Sequence, residues 1–209
     1  MVAQRQAVQE SICREWLLSR AGQPVTLATQ AFAGVIAAIG CGQIVAPRMG
    51  LNASEFSGLL EQCFLSAKPD VLALPAIACA ALPREDFNDL LQLLLEYRRD
   101  DSDETAWVAH ALCSGCMGSD HLYSDMCLPN RQILSDLIAH YFPVLFGKNS
   151  GARMRWKKFF YKQLCDRAEV HLCPAPGCQS CIDRPVCFMP GESAGEADAR
   201  DISSLPLLF

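Results

Sequence analysis

The chain has 209 residues, a formal net charge of −5, 51% hydrophobic residues and 20% charged ones. This composition excludes a disordered chain, and the acidic balance argues against wholesale binding to nucleic acid, whose phosphates need a basic partner. Val25 to Val45 carries no charge over 21 residues, yet its Thr26, Thr29, Gln30 and Gln43 among alanines and glycines read as a buried helix rather than a membrane span.

Apolar periodicity predicts a first helix from Gln4 to Arg20, with Val8, Ile12, Trp16 and Leu17 along one stripe. Ala21, Gly22 and Pro24 end it. A second helix spans Thr26 to Ile39 and stops at Gly40 and Gly42, before a loop containing Pro47 and Gly50. Asn52 or Ser54 can cap a third helix that runs to about Ser66, with Phe56, Leu59, Leu60 and Cys63 inward. Lys68, Pro69 and Asp70 break the pattern, and Val71 to Leu82 is apolar and ambiguous, with a short helix possible after Pro75.

The next helix has Glu85 and Asp86 in its first turn and Arg98 and Arg99 in its last, matching the helix dipole at both ends. Its predicted buried face is Phe87, Leu90, Leu91, Leu94 and Leu95. Ser102 caps a helix through Trp107 to Cys116, and another after Pro129 turns Ile133, Leu134, Leu137, Ile138, Tyr141 and Leu145 inward. A linker over Gly147 to Gly151 leads to a last long helix from Ala152 to about Ala168. No alternating strand pattern is present. The expected class is all-α: one helical bundle over 1–188 with a C-terminal cysteine-rich metal-cluster loop at 173–187, then a disordered acidic tail over 189–209.

That loop holds Cys173, Cys178, Cys181 and Cys187 in a C-x4-C-x2-C-x5-C run. Pro174, Pro176, Gly177 and Pro185 favour turns over regular structure, so a short backbone can wrap one compact object with its sulfurs inward. Structural zinc sites usually bring two separated cysteine knuckles to one ion. A single C-x2-C flanked by wider spacings suits the dispersed corners of an iron–sulfur cluster better, with a zinc site and paired disulfides as alternatives. Met1 to Glu10 shows no signal-peptide core, so the twelve cysteines are expected as reduced thiols in a cytoplasm, which favours metal over disulfides.

The helix before this loop has Trp156, Phe159, Phe160 and Leu164 at core spacing and Arg153, Arg155, Lys157, Lys158 and Lys162 opposite. Seven of the chain's 18 basic residues lie between Lys148 and Arg167, against the single acid Asp166. The basic side reads either as a solvated face or as a docking surface for an oxyanion or a partner. Aromatics at core spacing do not form a stacking platform, so nucleic acid is not the expected partner.

The segment Cys116-Met117-Gly118-Ser119-Asp120-His121-Leu122-Tyr123, the helix Arg155 to Cys165 and the four-cysteine run together resemble the NifQ family, which serves nitrogen fixation. The resemblance covers about residues 107 to 188, and Tyr123 stands where the family pattern suggests a tryptophan. It implies an iron–sulfur protein, of 3Fe-4S or 4Fe-4S type, that takes up molybdenum and passes it to scaffold proteins assembling the iron–molybdenum cofactor. Molybdate or another molybdenum source would be its input, and no membrane is implied. Such a protein is expected as a metal carrier more than as a conventional enzyme, with an enzyme that converts molybdate to a sulfur-ligated form as the alternative. No phosphate loop, dinucleotide motif or nucleophile–histidine–carboxylate order suggests otherwise.

Other thiols and imidazoles have two readings each. Cys113, Cys116 and His121 can be accessory ligands, or buried small residues and a histidine satisfied by backbone. Cys165 can stand beside the cluster or merely pack, and His171 can hydrogen-bond a cluster sulfur. Cys13, Cys41, Cys63, Cys79 and Cys127 read as core or surface thiols, and His110 and His140 as structural. The cysteine spacing also raises two alternatives, a DNA glycosylase with a structural cluster and a zinc-stabilised interaction module. The glycosylase would need a glycine-rich phosphate-gripping hairpin, and no L-P-G-x-G-like segment precedes the run.

Overall fold

The computed structural model describes the backbone of residues 2–65, 85–149 and 154–167, and the side chains of 8–65, 86–149 and 154–167. Within them the chain is helical: α1 (Val2–Leu18), α2 (Leu27–Gly40), α3 (Ala53–Cys63), α4 (Glu85–Glu96), α5 (Asp103–Cys116), α6 (Leu122–Asp125), α7 (Arg131–Tyr141), α8 (Pro143–Lys148) and α9 (Trp156–Arg167). Among the described residues there is no strand, only an isolated antiparallel bridge between Ala21 and Phe64. The four-cysteine run, His171, Arg153, the ambiguous stretch 71–82 and the acidic tail lie outside the described residues.

The central element is α2, buried from Ala31 to Ile39. Thr26 caps it by accepting a hydrogen bond from the Thr29 amide, which satisfies one of the orphan donors of the first turn. α1, α5 and α7 all pack on α2. No described helix is long and apolar enough to cross a membrane, and the uncharged stretch 25–45 becomes this buried 14-residue helix and its flanks. Asn52 rather than Ser54 caps α3, completing a capping box with Glu55, and Ser102 caps α5 through the Thr105 amide.

Four expectations about the helices are corrected. On α1, Val8 and Ile12 are 60% and 55% exposed, while Leu17 is fully buried and Cys13 half-buried. The contact stripe is therefore rotated by one position, because α2 approaches along the Cys13–Leu17 edge. On α4, Leu93 joins the core while Leu91 and Leu95 are only half-buried. Its helix ends at Glu96, before Arg98 and Arg99, which pair instead with Asp101 and Asp100. The helix after Pro129 is two helices, α7 and α8, since Pro143 cannot supply an amide to continue the ladder and starts a new one instead.

Candidate functional site

The conspicuous polar construction is where the loop after α5 meets α9. Gly34 lets α2 approach this loop: a Cβ there would stand 2.1 Å from the Met126 carbonyl oxygen. Gly118 admits the Asp125 carboxylate in the same way, since a Cβ would lie 2.3 Å from its Cγ. The Asp120 amide donates to both Asp125 oxygens at 3.1 Å, and the Asp120 carboxylate accepts from the His121 amide at 2.7 Å and from Ser124 Oγ at 3.0 Å. These bonds close the loop around α6 and hold the Asp120 carboxyl below its ordinary range, chiefly through the His121 amide.

Into this loop comes Lys157, the second residue of α9. Its Nζ donates to the carbonyls of Gly118 at 3.1 Å and Asp120 at 2.8 Å, and forms an ion pair with Asp125. Three N–H donors thus meet three acceptors, which is the full capacity of an ammonium. Burial pushes the Asp125 carboxyl upward, against the opposing pull of Lys157. The expected open basic face of α9 is corrected here. Lys157 and Lys158 are buried, Arg155 is half-exposed and Lys162 is exposed but paired with Asp166 at 2.7 Å.

The reason is that the first half of α9 is covered all round. Trp156, Phe159 and Phe160 pack as expected, with Trp156 Nε1 donating to Ser135 Oγ at 3.1 Å and its ring stacked on Phe146 at 5.8 Å. Tyr161, not anticipated as core, is fully buried and donates to Asp86 Oδ2 on α4 at 2.9 Å, while Leu164 is half-buried. A helix buried on opposite sides leaves no free basic stripe at its N-terminal end. Its C-terminal end is held more loosely, by Arg167 to Glu96 at 2.8 Å and by the Arg167 guanidinium 5.6 Å from the Tyr97 ring centroid. Lys148 reaches the same phenol at 2.6 Å, and these cations lower the Tyr97 hydroxyl's pKa, Lys148 most.

Among the accessory candidates, the structure brings Cys113 and Cys116 into the core at 0% and 1% exposure. Burial pushes the Cys116 thiol up to about 12 and that of Cys113 well above its ordinary value, so with no metal bound both thiols are protonated at neutral pH. Cys165 is half-buried on α9. His121 is half-exposed at the start of α6, its ring stacked on Tyr123 with centroids 6.1 Å apart, and it makes no side-chain cap. Among the described residues no group of three His, Cys, Asp or Glu side chains is arranged to hold a metal ion.

Residues 28–189 match the NifQ family model, a span that includes α2, the Lys157 loop, α9 and all four cysteines of the terminal run. This chain belongs to the NifQ family. It is 42% identical to Protein NifQ of Azotobacter vinelandii over 105 residues, half of this chain and 53% of that protein. It is 35% identical to Protein NifQ of Rhodobacter capsulatus over 153 residues, 73% of this chain and 82% of that protein. A Protein NifQ homolog of Sinorhizobium fredii is 32% identical over 143 residues, 68% of this chain and 61% of that protein. No solved structure matches the chain. The NifQ family serves nitrogen fixation, and the match extends the resemblance seen at residues 107 to 188 upstream to residue 28.

Asp125 and Tyr161 have no role in the sequence reading, and Asp86 and Gly118 appear there only as a first-turn acid and as part of the family-like segment. Asp125 had no local signal, because its ion-pair partner Lys157 lies on another helix.

Proposed function

We propose that this protein is an iron–sulfur carrier that takes up molybdenum and hands it on for assembly of the nitrogenase iron–molybdenum cofactor. The observation that supports this is the family match running through a C-x4-C-x2-C-x5-C run. As a donor set, four thiolates within fifteen residues suit soft or borderline metals, and so fit an iron–sulfur cluster of 3Fe-4S or 4Fe-4S type. Cys173, Cys178, Cys181 and Cys187 would hold it. A cluster with an open corner would supply sulfides as soft donors for molybdenum.

The remaining residues serve delivery. His121 supplies an imidazole nitrogen to the metal cargo, with Cys165 and His171 as further contacts to the cluster. Arg155 and Lys162, half-exposed and exposed, would be the part of the basic side that meets molybdate or a scaffold partner, with Arg153 outside the described residues. Lys157 and Lys158, being buried, do not offer that surface. The protein works in the cytoplasm, as a carrier and not as a turnover enzyme.

The test is anaerobic purification followed by iron, sulfide, molybdenum and zinc analysis with an electron-spin-resonance spectrum. The expected result is iron with sulfide, plus molybdenum after exposure to a molybdenum source. Zinc alone would replace this reading with a zinc-stabilised interaction module.

A further inference from the structure

Three helix ends meet at one phenol. Tyr97 follows the last residue of α4, Lys148 ends α8 and Arg167 ends α9. Lys148 Nζ donates to the Tyr97 hydroxyl oxygen at 2.6 Å and stands 4.0 Å from the ring centroid, and the Arg167 guanidinium donates to the same oxygen. Glu96 joins them, paired with Arg167 at 2.8 Å. We propose that Tyr97, Lys148 and Arg167 form a binding site for a tetrahedral oxyanion, of the class that includes molybdate, sulfate and phosphate. The site does not rest on the carrier reading above.

The first argument is a count of donors and acceptors. A phenol oxygen has two lone pairs and one proton, and Lys148 and Arg167 take both lone pairs. The Tyr97 proton has no acceptor among the described residues. Lys148 uses one of its three N–H groups on the phenol, and Arg167 keeps N–H groups beyond those that reach Glu96 and Tyr97. A place rich in donors and short of acceptors suits a ligand made of acceptor oxygens.

The second argument is charge. Two donors on one oxygen stand within about 6 Å of each other, close enough for like charges to repel, and Glu96 offsets only one of the two. These cations lower the pKa of the Tyr97 hydroxyl, so they favour negative charge on an oxygen at this point. An arriving oxyanion meets the same potential and accepts a hydrogen bond from the phenol. Lys148 is exposed and the Arg167 side chain is 37% exposed, which leaves the site open to solution. A plain strap between helix ends would have no use for the phenol proton, and that difference can be measured.

The experiment titrates the full-length protein with sodium molybdate, sodium sulfate and sodium phosphate by calorimetry at mildly alkaline pH, where all three are dianions. Saturable binding at one site is expected for at least one of them. Lys148→Gln and Arg167→Gln should each weaken it about tenfold, and so should Tyr97→Phe, which removes a donor without changing charge. Arg131→Gln is the control: it deletes the same charge from an exposed cation 5.6 Å from the Tyr123 ring centroid, and binding should be unchanged. Phenol absorbance supplies a second readout. At saturating dianion the lowered Tyr97 pKa should move back up towards its ordinary value, a change absent from Tyr97→Phe. Tighter binding of molybdate than of sulfate and phosphate supports the site as an entry point for the metal oxyanion, and equal binding supports it as a general dianion site. Three outcomes would each overturn the proposal. They are no saturable binding of any of the three anions, wild-type affinity in Tyr97→Phe, and a loss in Arg131→Gln as large as in Lys148→Gln.

Discussion

Lys157 and Asp125 form an ion pair in the interior, between the second residue of α9 and the last residue of α6. Neither charge has much water, and each depends on the other and on the loop carbonyls. Removing one partner leaves the other buried and uncompensated, which typically costs about 3–5 kcal/mol. Lys157→Met is therefore expected to lower stability by about that amount, and chemical denaturation monitored by circular dichroism measures it. Lys162→Met, by contrast, loses an exposed pair with Asp166 and should cost no more than about 1 kcal/mol.

Gly118 makes a companion prediction. Its missing Cβ is the space occupied by the Asp125 carboxylate, 2.3 Å from the would-be atom. Gly118→Ala should force the two apart and destabilise by about 1–3 kcal/mol, the usual range for overpacking. Gly22→Ala is the control, because nothing lies within 4 Å of its Cβ position. Thermal melts of the two variants side by side give the comparison.

Acid should weaken the hydrogen bonds that Asp100 and Asp120 accept. Asp100 accepts hydrogen bonds from the Ser102 hydroxyl, the Thr105 hydroxyl and the Ser102 amide, and its carboxyl is held well below the ordinary carboxylate range. Asp120 is shifted the same way by the His121 amide. A depressed folded pKa gives stability that is fully present above the unfolded value, about 4, and is lost as pH falls through the folded value. Melting temperature should thus decline as pH drops below about 4. Asp100→Asn and Asp120→Asn should flatten that decline, while a slope unchanged in both would contradict these assignments.

Thiol labelling should sort the described cysteines by depth. Cys113 and Cys116 are buried and held protonated, so alkylation of the native protein at neutral pH should spare them. Half-exposed Cys13, Cys41 and Cys165 should react first. Mass spectrometry of peptides after brief iodoacetamide treatment reads the order, and early modification of Cys116 would show that its surroundings open.

Charge reversal distinguishes what is left of the basic surface. Arg155→Glu together with Lys162→Glu changes only half-exposed and exposed positions. Molybdenum loading from molybdate is expected to slow, and more so at low ionic strength, where exposed charges act over longer distances. Unchanged loading at every salt concentration would remove the docking role from this helix.

The sequence by itself determined the helical class, the cap at Ser102, the choice of Asn52 or Ser54 as cap of α3, and the family resemblance, because each is written in local spacing. Capping needs residues three apart, amphipathic helices repeat every three or four, and the cysteine run occupies fifteen consecutive positions. Only the tertiary structure decided which side of α1 is buried, that the C-x2-C of Cys113 and Cys116 is core, and that Lys157 and Lys158 are interior. A helical wheel can mark a basic side but not whether a loop from elsewhere will cover it. Lys157 is buried because Gly118, Asp120 and Asp125 converge on it from a segment more than thirty residues away, and that convergence is a property of the packed chain, not of any window of its sequence.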